Sequence, residues 1–84
     1  MTDDLTRTIV AWATEIASYA VELPSRQARE DYLAQRRGEL IAGAGAEGAS
    51  PDDAAALADT CVNAARRILT ELLAQRAGVS EGRG

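Results

Sequence analysis

Apolar residues recur through the first 23 positions at alternating intervals of four and three, which is the period of an amphipathic helix. Thr2, Asp3 and Asp4 supply a helix cap and place negative charge at the positive end of the helix dipole. Pro24 ends the helix, because the residue before a proline is pushed out of the helical region. The pattern therefore predicts a first helix over residues 3–23. Its expected core-facing seam is Leu5, Ile9, Trp12, Ile16, Tyr19 and Leu23.

A second helix is predicted over residues 25–42, although its apolar side is narrow. Ser25 is placed to cap it, and Gly38 near its middle costs about 1 kcal/mol relative to alanine. The glycine- and alanine-rich residues 43–49 predict a flexible linker, with Gly43 as the C-terminal cap of the helix. The apolar residues of the helix are Leu33, Leu40 and Ile41.

The third helix has the strongest start signal in the chain. Ser50 is the expected cap, Pro51 occupies the first helical position, and two aspartates fill the first turn. Gly78 is expected to end the helix, so the pattern predicts a helix over residues 51–77 and a disordered tail over residues 79–84. The seam of this helix is Ala54, Ala58, Cys61, Ala65, Ile68 and Leu72, widened by Val62 and Leu69.

Together these elements predict a single all-α domain, a small three-helix bundle over residues 1–78. The small residues at the start of the third seam are expected to accept the bulky Trp12 and Tyr19 of the first helix. An alternative is that part of the first seam is exposed and anchors a partner, since tryptophan and tyrosine dominate interface hot spots. A core of this size is marginal, so a homodimer or a higher oligomer is kept as a further alternative.

Composition narrows the chemistry that the chain can support. The sequence contains no histidine and a single cysteine, which excludes an intramolecular disulfide, the usual zinc sites and catalysis based on histidine. Cys61 is expected to be a buried thiol that acts as a small hydrophobic side chain. Adjacent acidic pairs at helix starts are explained by the helix dipole. We therefore expect no enzyme activity, no cofactor and no metal.

Charge and hydropathy also bear on where the protein acts. The N-terminus is acidic and no apolar run approaches 18 residues, so we expect a cytoplasmic protein with no signal peptide and no membrane span. All nine basic residues are arginine, and the abundance of alanine and glycine is typical of a GC-rich prokaryote or its phage. A net charge of −4 and a pI near 4.6 argue against extensive wrapping of nucleic acid.

The arginines of the second helix form the most distinctive group in the sequence. They lie within an arc of about 100° together with two leucines. The arginines could pair with Glu15, Glu22 or Asp59 of neighbouring helices, recognise an acidic protein partner, or contact nucleic-acid phosphates. The pattern predicts a non-catalytic protein–protein interaction module, an inhibitor or adaptor of a larger complex, with a nucleic-acid-associated regulator as the alternative. The predicted partner-binding residues are Arg26, Arg29, Leu33, Arg36, Arg37 and Leu40.

Overall fold

The computed structural model describes the backbone of residues 2–82 and the side chains of residues 4–77. It contains three helices, α1 (Thr2–Ala20), α2 (Arg26–Ala46) and α3 (Pro51–Gly82), and no strand within residues 2–82. The predicted all-α, three-helix fold is confirmed.

Helix α3 lies at the centre of the arrangement and packs along both other helices, whereas α1 and α2 touch each other little. Arg76 near the end of α3 pairs with Glu22 just after α1, at 2.6 Å between Nη2 and Oε2, so α1 and α3 run parallel. Helix α2 runs antiparallel to α3, because its later residue Arg37 pairs with the earlier Asp59 of α3. The extents of 52 × 29 × 15 Å describe an elongated molecule in which α1 and α2 flank a long central helix.

Both predicted serine caps are present. Ser25 has an extended backbone, and its hydroxyl oxygen accepts a hydrogen bond from the Ala28 amide at 3.1 Å. The Ser50 hydroxyl oxygen accepts from the Asp53 amide at 3.1 Å, directly before α3. Each serine satisfies one of the amide groups that the first turn of a helix leaves unpaired, which is why these two starts could be located from the sequence.

The segment predicted as a flexible linker is mostly helical, which corrects the expectation for residues 43–49. Helix α2 continues through Gly43 and Gly45 to Ala46. The turn that ends it contains Gly48, whose φ of 102° only glycine adopts without strain. The Ala49 amide donates to the Ala44 carbonyl at 3.0 Å and the Gly48 amide donates to the Gly45 carbonyl at 3.0 Å. This is a Schellman motif, so the C-terminal glycine signal belongs to Gly48 rather than to Gly43.

Helix α1 is buried on a different face from the one predicted. Its fully buried residues are Ala13, Ile16, Ala17 and Ala20. Of the predicted seam only Ile16 is fully buried, whereas Trp12 is 39% exposed and Tyr19 is 57% exposed. At 100° per residue, the buried face is rotated by roughly 70° from the predicted one. The physical reason is that alanines of α1 and α3 fill the interface, so Trp12 and Tyr19 do not occupy the surface expected to accept them.

Helix α3 follows its prediction closely. Its buried residues are Ala54, Ala58, Cys61, Val62, Ala65 and Leu69. Cys61 is fully buried, as predicted for a thiol that acts as a small hydrophobic side chain. This burial raises the pKa of the thiol. In α2, Leu33 is the one fully buried side chain among the described residues of that helix, which agrees with its narrow apolar side.

The ends of α1 and α3 differ from the predicted boundaries. Helix α1 ends at Ala20 rather than at Leu23, because the amides of Glu22 and Leu23 bond to carbonyls three residues back and tighten the chain before Pro24. The backbone of α3 is helical through Gly78 to Gly82, since one glycine weakens a helix without ending it. The tail predicted over residues 79–84 falls where the side chains, and for residues 83–84 the backbone, lie outside the described part of the chain.

Candidate interaction surface

The four arginines of α2 do not form one open patch. The Arg37 Nε donates to Asp59 Oδ1 of α3 at 2.6 Å, and this hydrogen bond raises the pKa of Arg37 and lowers that of Asp59. Arg29 donates from Nη1 to the Leu23 carbonyl at 3.5 Å. Arg36 pairs with a glutamate three residues later on the same helix. Three of the four predicted binding arginines therefore already have partners within the chain. Arg37 pairs with Asp59 of a neighbouring helix, which is one of the three interpretations of the arginines.

The two leucines of the predicted site lie in different environments. Leu33 is 1% exposed and belongs to the central hydrophobic cluster with Ile16 and Val62. A side chain with this burial presents no surface to a partner, so its predicted docking role is corrected to a core role. Leu40 is half-buried at the edge of the same cluster and remains accessible.

Arginines of α2 and α3 meet at a second place, between these two helices. Arg26, Arg29 and Arg66 line a shallow depression of about 320 Å³ between α2 and α3. Glu30 lies in the same place and accepts a hydrogen bond from Arg66 at 2.6 Å, which lowers the pKa of Glu30. Because this carboxylate neutralises one of the three guanidinium groups, the depression is less positively charged than three arginines alone would make it.

A concave surface lies between α1 and the C-terminal half of α2. It is a groove of about 720 Å³, closed at one end by the loop between α2 and α3, and its walls are mainly apolar. Trp12 lines the groove on the α1 side, and Gly43 of α2, which has no side chain, lines the opposite side. We call it the α1–α2 groove; its lining residues are Trp12, Glu39, Leu40, Gly43, Ala44, Glu47, Gly48, Ala49 and Leu57.

A row of large apolar side chains is exposed on α1 beside this groove. Leu5 is 55% exposed, Trp12 is 39% exposed and Tyr19 is 57% exposed, and the three are separated by seven residues each. Residues seven apart lie on one helix face, so we call this row the α1 stripe. The Tyr19 ring contacts the Tyr32 ring of α2 with centroids 4.6 Å apart and planes tilted by 40°. Burial raises the pKa of the Tyr32 hydroxyl.

The rim of the groove is predominantly acidic. Glu39 and Glu47 line it from α2 and the following turn. On α1, Glu15 is exposed at the outer flank of the stripe and lies near enough to Tyr32 to influence its titration. Arg36 is the basic residue of this side, and it is paired with Glu39. The groove and the α1 stripe therefore form an apolar surface with acidic residues at its border.

Sequence reasoning assigned the site to the arginine arc and placed the α1 stripe in the core. A signal was available in the alanines at positions 13, 17 and 20, which recur at intervals of four and three on α1. Such a row predicts close helix packing on its own side and leaves larger neighbours at the border. The structure shows the exposure of Trp12 and Tyr19 on which the alternative interpretation depends.

Within the described part of the chain, no group of three acidic or cysteine side chains is arranged to hold a metal ion. None of the helices described in residues 2–82 combines the length and the apolar character that crossing a bilayer requires. Comparison of the chain with protein families, curated proteins and solved structures found no match.

Proposed function

We propose that this protein is a non-catalytic protein–protein interaction module that binds an apolar segment of another protein in the α1–α2 groove. The observation that carries the proposal is the position of Trp12, a large aromatic side chain on the wall of an apolar groove and in line with two other exposed apolar residues. Single exposed apolar residues are ordinary, but a contiguous apolar surface beside a groove is typical of an interaction site.

The residues at this surface fit a binding role better than a folding role. Trp12 is 39% exposed and Tyr19 is 57% exposed, so a substantial part of each side chain remains in contact with solvent in the isolated chain. Burial of these side chains under a partner would remove that surface from water. Such a module acts as an adaptor or an inhibitor of a larger complex, and the identity of the bound protein distinguishes these roles.

The groove offers a variant that blocks binding without loss of folding. A side chain added at Gly43 would meet no atom within 4 Å, and Gly43 lines the groove. Leucine at this position fills the groove and also improves the helical propensity of α2. Gly38 provides the matched control, because it lies on the same helix, is equally open, and does not line the groove.

The test is site-specific photo-crosslinking from position 44, which lines the groove and leaves Trp12 in place, in cells that naturally produce the protein. We expect a discrete covalent adduct with another protein, lost in Gly43→Leu and retained in Gly38→Leu. A crosslinker at the exposed Thr60 of α3 serves as the positional control and gives no such adduct. An adduct that disappears after nuclease treatment would favour the nucleic-acid alternative, and absence of any adduct at position 44 would refute the proposed function.

A further inference from the structure

We propose that the occupant of the α1–α2 groove is a basic amphipathic helix of a partner protein, an inference that rests on the proposed function. The groove and the α1 stripe would take the apolar face of this helix, and the acidic rim would pair with arginine or lysine side chains on either side of that face. Helices recognised in grooves present apolar residues at intervals of three and four, with polar residues at the border.

The shape of the surface matches a helix. Helices α1 and α2 both pack on α3 and touch each other little. Beyond the contact between Tyr19 and Tyr32, the α1–α2 groove is therefore open for a fourth helix to dock against it. The α1 stripe extends from Leu5 to Tyr19, which at 1.5 Å per residue is about 21 Å along α1. A partner helix of roughly 14 to 18 residues covers this distance.

The charges around the surface select a basic partner. Glu39 and Glu47 line the groove, and Asp4 and Glu15 are exposed on the outer flank of the stripe. Arg36 pairs with Glu39 and offsets its charge. Asp4, Glu15 and Glu47 form no ion pair among the described residues, so the border retains a net negative charge. Complementary charge at the border of an apolar interface increases the association rate and selects between partners of opposite sign.

The same charges disfavour a second copy of this chain as the occupant. If α1 of another molecule entered the groove, its Asp4 and Glu15 would approach Glu39 and Glu47. Arg7, the basic residue of α1, lies on the far side of the helix from the stripe at 100° per residue. Pairing two acidic borders is unfavourable, whereas a border of lysine or arginine removes the repulsion.

The experiment uses the full chain and two synthetic helical peptides of about 18 residues with leucines at identical positions. One peptide carries lysine at its polar positions and the other carries glutamate. Trp12 is the single tryptophan of the chain, so its emission reports binding of either peptide, and anisotropy of a labelled peptide provides a second measurement. We expect the lysine peptide to bind at least about tenfold more tightly at low salt, with a ratio that falls as salt is added.

Two pairs of variants separate charge from docking. Glu39→Gln combined with Glu47→Gln is expected to remove most of the preference for the lysine peptide, whereas the control Asp31→Asn with Glu71→Gln, exposed and outside the groove, retains it. Gly43→Leu is expected to weaken binding of the lysine peptide by about tenfold or more, whereas Gly38→Leu is expected to leave this binding unchanged.

The outcomes distinguish the two proposals. Equal binding of both peptides, lost in Gly43→Leu, would overturn the basic partner and leave the groove as a docking site. Binding of the lysine peptide that Gly43→Leu does not affect would overturn docking in the groove as well. Sedimentation of the free chain as a dimer that Gly43→Leu converts to monomer would assign the groove to a second copy, which overturns the basic helix.

Discussion

Substitution of Ile16 by alanine tests the rotated packing of α1 most directly. Ile16 is fully buried in the cluster shared by all three helices, whereas Leu5 belongs to the same predicted seam and is 55% exposed. The sequence pattern treats the two residues alike. The structure predicts a large loss of stability at Ile16 and a small one at Leu5.

The magnitudes follow from burial. Ile16→Ala removes buried methyl and methylene groups and leaves a cavity, which costs roughly 2–5 kcal/mol. A chain of this length has a total stability of about 4–13 kcal/mol, so the variant loses a large share of it. Leu5→Ala removes groups that are half in solvent and creates no cavity, so its cost is below about 1 kcal/mol. For a small domain, about 1 kcal/mol corresponds to a shift in Tm of roughly 4–8 °C.

The assay is urea and thermal denaturation followed by circular dichroism at the helical band, with equal m-values as evidence that the unfolding transition is unchanged. A second pair examines the alanine interface: Ala17→Leu is expected to cost about 1–3 kcal/mol by overpacking, while Ala11→Leu on the exposed side is nearly neutral. If Leu5→Ala were as destabilising as Ile16→Ala, the predicted seam would be the buried face and the rotation described here would be wrong.

Three other predictions concern glycine, ion pairs and the thiol. Gly43→Ala should stabilise the chain by up to about 1 kcal/mol, because its Cβ meets open space, whereas Gly48→Ala should destabilise it because of the positive φ; urea midpoints of both variants check this. The ion pairs of Asp59 and Glu30 lower the pKa of each carboxyl, so they stabilise the fold above the ordinary carboxyl pKa range and lose this effect as the pH falls through the lowered pKa values. In the double variant Asp59→Asn with Glu30→Gln, the urea midpoint should therefore fall less between neutral pH and about pH 3 than it does in the unmodified chain. Cys61, buried and with a raised pKa, should react with a thiol reagent slowly in buffer and at once in denaturant, and fast reaction in buffer would place the thiol at the surface.

The features that could be predicted from the sequence are those with local causes. Ser25, Ser50 and Pro51 act on the hydrogen bonds and torsion angles of adjacent residues, so they located the starts of α2 and α3 closely without knowledge of the packing. The seam of α3 was predicted well, because its large and small apolar residues lie on one side and no competing face exists.

The features that could not be predicted depend on contacts between helices. Helix α1 has two candidate apolar faces, one with Trp12 and Tyr19 and one with alanines, and the hydrophobic pattern alone favours the larger side chains. Packing favours the alanines, because small residues allow α1 and α3 to approach closely along their length. The end of α2 was misplaced for a related reason: Gly43 and Gly48 are equivalent as sequence signals, and only Gly48 has the left-handed backbone that ends a helix.

The alanines in the interior also explain why the α1 stripe is exposed beside the α1–α2 groove. Because the α1–α3 interface is filled by small residues and α2 contributes Leu33 alone to the fully buried core, the largest side chains of α1 are left at the border of the bundle. Under the proposed function, stability and binding depend on different residues: Ile16 and Leu33 hold the helices together, while Trp12, Leu40 and Gly43 shape the groove. Variants at Gly43 should therefore change partner binding with unchanged or increased Tm, and variants at Ile16 should lower Tm and lose binding only as the folded fraction falls.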